Sequence, residues 1–215
     1  MPLHCTPVGQ IRMAGLVLLA ICLFAAGGAA PVAAQNDEAV GQVVRQTGPV
    51  TALRGGVPRS LYIGAFIQSG DRIRTGAGAK VRIDFRDGSS LSLGEDTDVE
   101  LSAYLPEGGG RGILTLLLGI IRTSLSSVWR DGFEVRTLAA VASVRSTDWI
   151  TELNGTRASV FVVDGSVAVR GVGDGSEVLL EKGFGVDVDA GKAPPPPKKW
   201  GAARVEQALA RTRVP

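Results

Sequence analysis

Three groups of residues have the types and spacing to do chemistry. The acidic run Glu95-Asp96-Thr97-Asp98-Val99-Glu100, with Glu107 further on, offers oxygen ligands to a hard cation. Leu101, however, stands where a calcium loop needs glycine for its sharp turn, so the run reads as a solvated connection between strands. The glycine clusters 108–110 and 171–175 could cradle a phosphate, but they lack the strand-to-helix context that aims backbone N–H groups at an anion. Trp129, Trp149, Tyr62 and Tyr104 could stack on sugar rings; with aromatics at 5% of the chain, Trp149 reads first as packing. Twenty carboxylates between residues 35 and 190 could hide a glycosidase pair, but nothing in the sequence selects two of them. Asn154-Gly155-Thr156 matches a glycosylation sequon and, equally, the Asn-Gly of a tight hairpin turn.

The absent residue types restrict function further. Arg12 is the lone Lys, Arg, Asp or Glu before Asp37, Met13–Ala26 is apolar, and small residues follow, the order of a secretory signal. Cleavage after Ala34 is expected, giving a signal peptide of residues 1–34 and a periplasmic or secreted bacterial protein. The 14-residue run is shorter than the ~20 that span a bilayer. An uncleaved inner-membrane anchor stays open as the alternative. Cys5, Cys22 and His4 all lie in the segment to be removed. The remainder then has no thiol and no imidazole. Disulfides, soft-metal sites and Ser-His or Cys-His catalytic units are therefore not expected. No catalytic residue, cofactor or metal ligand can be named, and the partner-binding residues are unknown.

The elements that would position any site are strands. Val81, Ile83 and Phe85 alternate with polar residues, Asp87-Gly88 supplies a turn, and Leu91 and Leu93 begin the return strand. Asp-Gly-Ser recurs at 164–166 and 174–176, and the Phe161/Val163 and Val167/Val169 pairs flanking the second copy read as another hairpin. Ile113–Ile121 is composed like a helix, but Gly119 within it favours a bent strand covered on both faces. Turn signals at short intervals predict an all-β domain over 38–190, either sandwich-like or a short irregular β-solenoid. Residues 35–190 carry 16 basic and 20 acidic side chains, while 191–215 has six basic and one acidic. A basic tail without a basic folded face does not suggest nucleic-acid binding.

Residues 191–200 read as a Pro/Lys-rich linker, and 201–215 as a loosely ordered basic tail. A short helix placing Val205, Ala208, Leu209 and Thr212 on one side is the alternative, as an arm for a partner or an anionic membrane.

The order Gly70-Asp71, Ile73, Thr75-Gly76, then Phe85, Asp87-Gly88-Ser89, Leu91 and Leu93, resembles the core of FecR-type periplasmic domains. Val99, Leu101, Gly119, Ile121, Phe133, Val135, Thr137 and Val144–Trp149 follow in the family's succession, and Val163–Val169, Leu180 and Gly183 resemble its last strands. The likeness extends from Gly41 to Val188, with Ser146 where the family usually has glycine. It implies a non-enzymatic module that, in the best-known members, receives a signal from an outer-membrane transporter and relays it to a sigma-factor regulator. The dozen residues before the apolar segment are too few for that family's cytoplasmic part. The expected role is a stand-alone sensing or scaffolding module that binds an envelope protein, by strand addition at a sheet edge. An envelope-glycan binder and a carboxylate-based hydrolase are the alternatives.

Overall fold

The computed structural model describes residues 39–105, 111–129, 132–144, 147–173 and 175–215. The signal-peptide reading, the glycine run 108–110 and Ser146 fall outside them. In chain order the elements are β1 (Ala39–Thr47), β2 (Val50–Arg54), β3 (Val57–Ser60), β4 (Phe66–Gln68), β5 (Arg72–Thr75) and β6 (Lys80–Phe85). Then come β7 (Ser90–Leu93), β8 (Asp98–Leu105), β9 (Arg111–Ser124), β10 (Phe133–Arg136), β11 (Ala140–Val144) and β12 (Asp148–Asn154). The chain closes with β13 (Arg157–Asp164), β14 (Ser166–Gly171), β15 (Glu177–Glu181), β16 (Phe184–Asp189), β17 (Lys198–Lys199) and α1 (Ala202–Thr212). Among the described residues no helix is long and apolar enough to cross a membrane.

The strands form two runs that share β9. One run is β4-β1-β6-β7-β9-β12-β13-β16-β17. The other is β3-β2-β5-β8-β9-β10-β11-β14-β15. The pairings are antiparallel except β9 with β10. β9 changes sheets where the sequence places its bend: residues up to Leu118 pair with β8, and those from Gly119 pair with β12. Gly119 has φ 88°, and a Cβ there would lie 2.6 Å from Thr97 Cα and 2.8 Å from the Asp96 carbonyl. Only glycine fits that backbone without strain. The result is all-β, as expected, and the sandwich-like rather than the solenoid architecture, with edges among the described residues at β4 and β17 in one sheet and at β3 and β15 in the other.

The inward residues of both sheets make one core. Val81, Ile83 and Phe85 of β6 join Ile73, Val99, Leu101, Trp149, Val160, Val162, Val167 and Val169 in a single cluster. The β6–β7 hairpin has the expected register, Val81 opposite Leu93 and Ile83 opposite Leu91. The second Asp-Gly-Ser triplet departs from expectation. β13 and β14 do not pair, because β12 and β16 already occupy both edges of β13. Asp164-Gly165 is instead a corner at which the chain steps to the other sheet, where β14 pairs with β11 and β15.

The C-terminal segment takes the short helix of the alternative reading rather than a loosely ordered tail. α1 lays Ala208 and Leu209 over Ile120, Ile150 and Val163 on the outer face of the first sheet. A helix of 11 residues is marginal alone, so docking is what holds it. Trp200 stacks on Phe161 at 4.8 Å, and Arg204 sits 3.5 Å above the Trp200 ring. Lys80 Nζ donates to the carbonyls of Ala210 and Arg213, satisfying groups that a helix C-terminus leaves open. Lys198–Lys199, read as part of a linker, extend the sheet by pairing with β16. This double coverage explains why β9, β12 and β13 are apolar on both faces.

Candidate functional site

The aromatic residues that could have faced a sugar mostly do not. Trp129, Trp149 and Tyr104 are buried, and Tyr62 alone of the four is exposed. Tyr104 stacks on Phe85 at 4.1 Å and meets Trp129 edge-on at 5.1 Å; Phe133 connects Trp129 to Trp149. The polar tips of Tyr104 and Trp129 converge on Asp87, the turn residue of the first hairpin. Its carboxylate accepts from the Ser89 amide at 3.0 Å, the Ser89 hydroxyl at 2.9 Å, the Tyr104 hydroxyl at 3.1 Å and the Trp129 indole N–H. Burial, reinforced by the Asp87 charge, raises the Tyr104 hydroxyl well above its ordinary value, so it stays a donor. The constellation is a packing centre. Sequence reading assigned Asp87 a turn and missed its second role, because Trp129 is 42 residues away.

The carboxylates are arranged for structure as well. Glu95 accepts from the Gly78 amide at 3.2 Å. Burial pushes the pKa of Asp98 up, but its hydrogen bonds from Arg72 and Arg74 outweigh that and leave it below its ordinary value. Hydrogen bonds from Arg204 lower Asp187 against opposing burial, and the bond from Arg157 lowers Asp189. A glycosidase general acid needs the opposite shift. The basic tail residues are engaged too: Arg204 pairs with Asp187 at 2.5 Å and Arg211 with Glu152 at 2.6 Å. These two charges therefore face the domain, and a reading of the tail as a membrane arm loses them.

The surface that stands out is the connection from β3 to β4. Val57 is 69% exposed, Tyr62 68%, Ile63 63% and Phe66 62%, four large apolar side chains within ten residues. They join the edge strand of one sheet to the edge strand of the other, at one end of the sandwich. Gly55-Gly56, with φ of 54° and 82°, turn the chain from β2 into β3, and Pro58 sits on the edge where a missing N–H is tolerated. The segment is held from beneath by Asp71, which is fully buried. Asp71 accepts from Arg54 and Arg59, each at 2.7 Å, and from the Gln68 amide at 3.0 Å. Arg59 also donates to the Phe66 carbonyl at 2.9 Å. Val57, Ile63 and Phe66 escape sequence reading because apolar residues in strands are assigned to a core. The one available signal was Pro58 after a Gly-Gly turn, which marks an edge.

Fold and surface together define a class: an open β-sandwich with an exposed apolar end. Residues 71–168 match the model of the family described as FecR protein, which confirms the resemblance over that span, inside the wider 41–188 of the motifs. No curated protein matches the chain. Two crystal structures of a "putative anti-sigma factor" from Parabacteroides distasonis, at 1.65 Å and 2.50 Å resolution, share the fold. Each has a TM-score of 0.52 and covers 64% of this chain, with identities of 20% and 19%. The match spans 64% and 63% of their own lengths, a little under two thirds.

Proposed function

We propose that the protein is a non-enzymatic recognition module of bacterial envelope signalling, and that it binds a protein partner through the β3–β4 end. The observation that carries this reading is the run of exposed apolar side chains on Val57–Phe66, where both sheets end. Aromatic and aliphatic anchors on a rigid base are what protein interfaces use as energetic centres. An exposed apolar patch at a sheet edge otherwise invites aggregation, so a partner that covers it also resolves a liability. The FecR match and the anti-sigma-factor description of the structural neighbours support a place in a signal relay.

Export by the N-terminal segment fits this role, and N-terminal sequencing of the envelope protein should begin at Gln35. Pull-down from an envelope fraction tests the partner. Tyr62→Ser with Phe66→Asp should abolish a co-purifying protein that the unaltered chain retains, with the far-ultraviolet spectrum unchanged. Equal recovery with the double variant would overturn the assignment.

A further inference from the structure

A cationic row crosses the outer face of the first sheet. Arg45 of β1 lies opposite Arg82 of β6, Arg82 opposite Ser92 of β7, and Ser92 opposite Arg122 of β9. Like charges directly opposite one another destabilise an antiparallel pair, so Arg45 beside Arg82 needs compensation. Neighbouring carboxylates supply part of it. Arg82 Nε donates to Asp84 at 2.9 Å, and Arg122 makes a two-pronged contact with Asp148 at 2.9 and 2.6 Å. The contact of Arg45 is weaker, its Nη1 reaching the Val214 carbonyl at 3.5 Å.

The segment after α1 converts this row into a cleft. Thr212–Val214 wall one side and enclose about 240 Å³, with Arg213 adding a fourth guanidinium. Asp148 is the carboxylate in the lining. On the sheet side, Ser92 is 7% exposed and lines the floor of the cleft. A hydroxyl floor beneath several guanidinium groups is the reverse of what a cation or an apolar ligand requires.

We propose that this cleft binds a small tetrahedral oxyanion, a phosphate or the phosphate group of a small ester. Arg45, Arg82 and Arg122 grip it, and Ser92 donates from the floor. The planar forks of arginine match such oxygens, and each guanidinium has more N–H groups than its present partner uses. The volume is below the ~300 Å³ at which sites for larger ligands begin, which restricts the ligand to a phosphate or a short ester. Because the last residues form one wall, binding also stabilises the docked position of the C-terminal segment.

The test is titration of the full chain with inorganic phosphate, glycerol phosphate and acetate at constant ionic strength, read by calorimetry and by the thermal midpoint. Phosphate should bind saturably and raise the midpoint, with acetate at least tenfold weaker. Tighter binding of glycerol phosphate would identify an ester as the ligand, and tighter binding of inorganic phosphate would identify the free ion. Arg45→Gln should weaken binding at least tenfold. Ser92→Ala, which removes one hydroxyl and leaves the backbone pairing of β7 in place, should weaken it at least threefold. Heat and midpoint changes no larger than those in matched chloride, or an unaltered affinity in S92A and R45Q, would overturn the site.

Discussion

Asp87 and Asp164 hold the same place in an Asp-Gly-Ser triplet, yet one anchors the core and the other lies at the surface. The Asp87 carboxylate is the shared acceptor of Tyr104 and Trp129, both buried. Replacing it with alanine leaves two buried donors unpaired, at about 1–3 kcal/mol each and less than additively. Urea denaturation of Asp87→Ala should therefore show a loss of about 3 kcal/mol, whereas Asp164→Ala, whose partner is the exposed Lys182, should leave the midpoint unchanged. Equal losses would mean that the shared triplet, not its surroundings, sets the cost. The sequence displays both triplets identically. What separates them is Trp129, far along the chain, and a single sequence carries no local sign of that contact.

At the scale of elements, β9 and α1 carry the parts of the fold that periodicity does and does not reveal. The bend in β9 was legible, because a glycine inside an apolar run has few other uses. Its backbone conformation costs a residue with a side chain about 1–3 kcal/mol, before the collision with Thr97 is counted. Gly119→Ala should lower the unfolding free energy by at least about 2 kcal/mol, and a change near zero would show that the two sheets do not depend on this hinge. The docking of α1 was not legible, although its apolar side was. Whether a short amphipathic segment finds a surface depends on Phe161, Ile120 and Ile150, which themselves read as core strand residues.

Asp187 makes that docking pH-dependent. Its folded-state pKa is depressed, chiefly by Arg204, so the stabilisation is present above the unfolded value and lost as the pH falls through the folded one. The α1 segment should stay docked above about pH 4, the ordinary carboxylate value, and loosen below it. Trp200 emission, taken as the difference from Trp200→Phe, should shift to the red in that acid range, and in Arg204→Gln it should already be shifted at neutral pH. An acid-independent signal would assign the docking to apolar contacts alone.

For the whole molecule, the arrangement of both sheets around one core leaves little room for chemistry inside and directs function to the ends. Arginines engage the carboxylates, the tryptophans Trp129 and Trp149 are interior, and the large apolar side chains of Val57–Phe66 project where both sheets finish. Fold class was readable from alternation and turns, because those patterns are local. The exposed apolar edge was not, since exposure is a property of the assembled sandwich: the same valine or phenylalanine reads as core until its strand proves to be an edge. The most direct measurement is site-specific photocrosslinking in cells. A photoreactive residue is placed at position 62, or at position 179 on the opposite edge as the comparison. The account predicts one discrete protein adduct from position 62 and none from position 179. Adducts from 179 with none from 62 would contradict it.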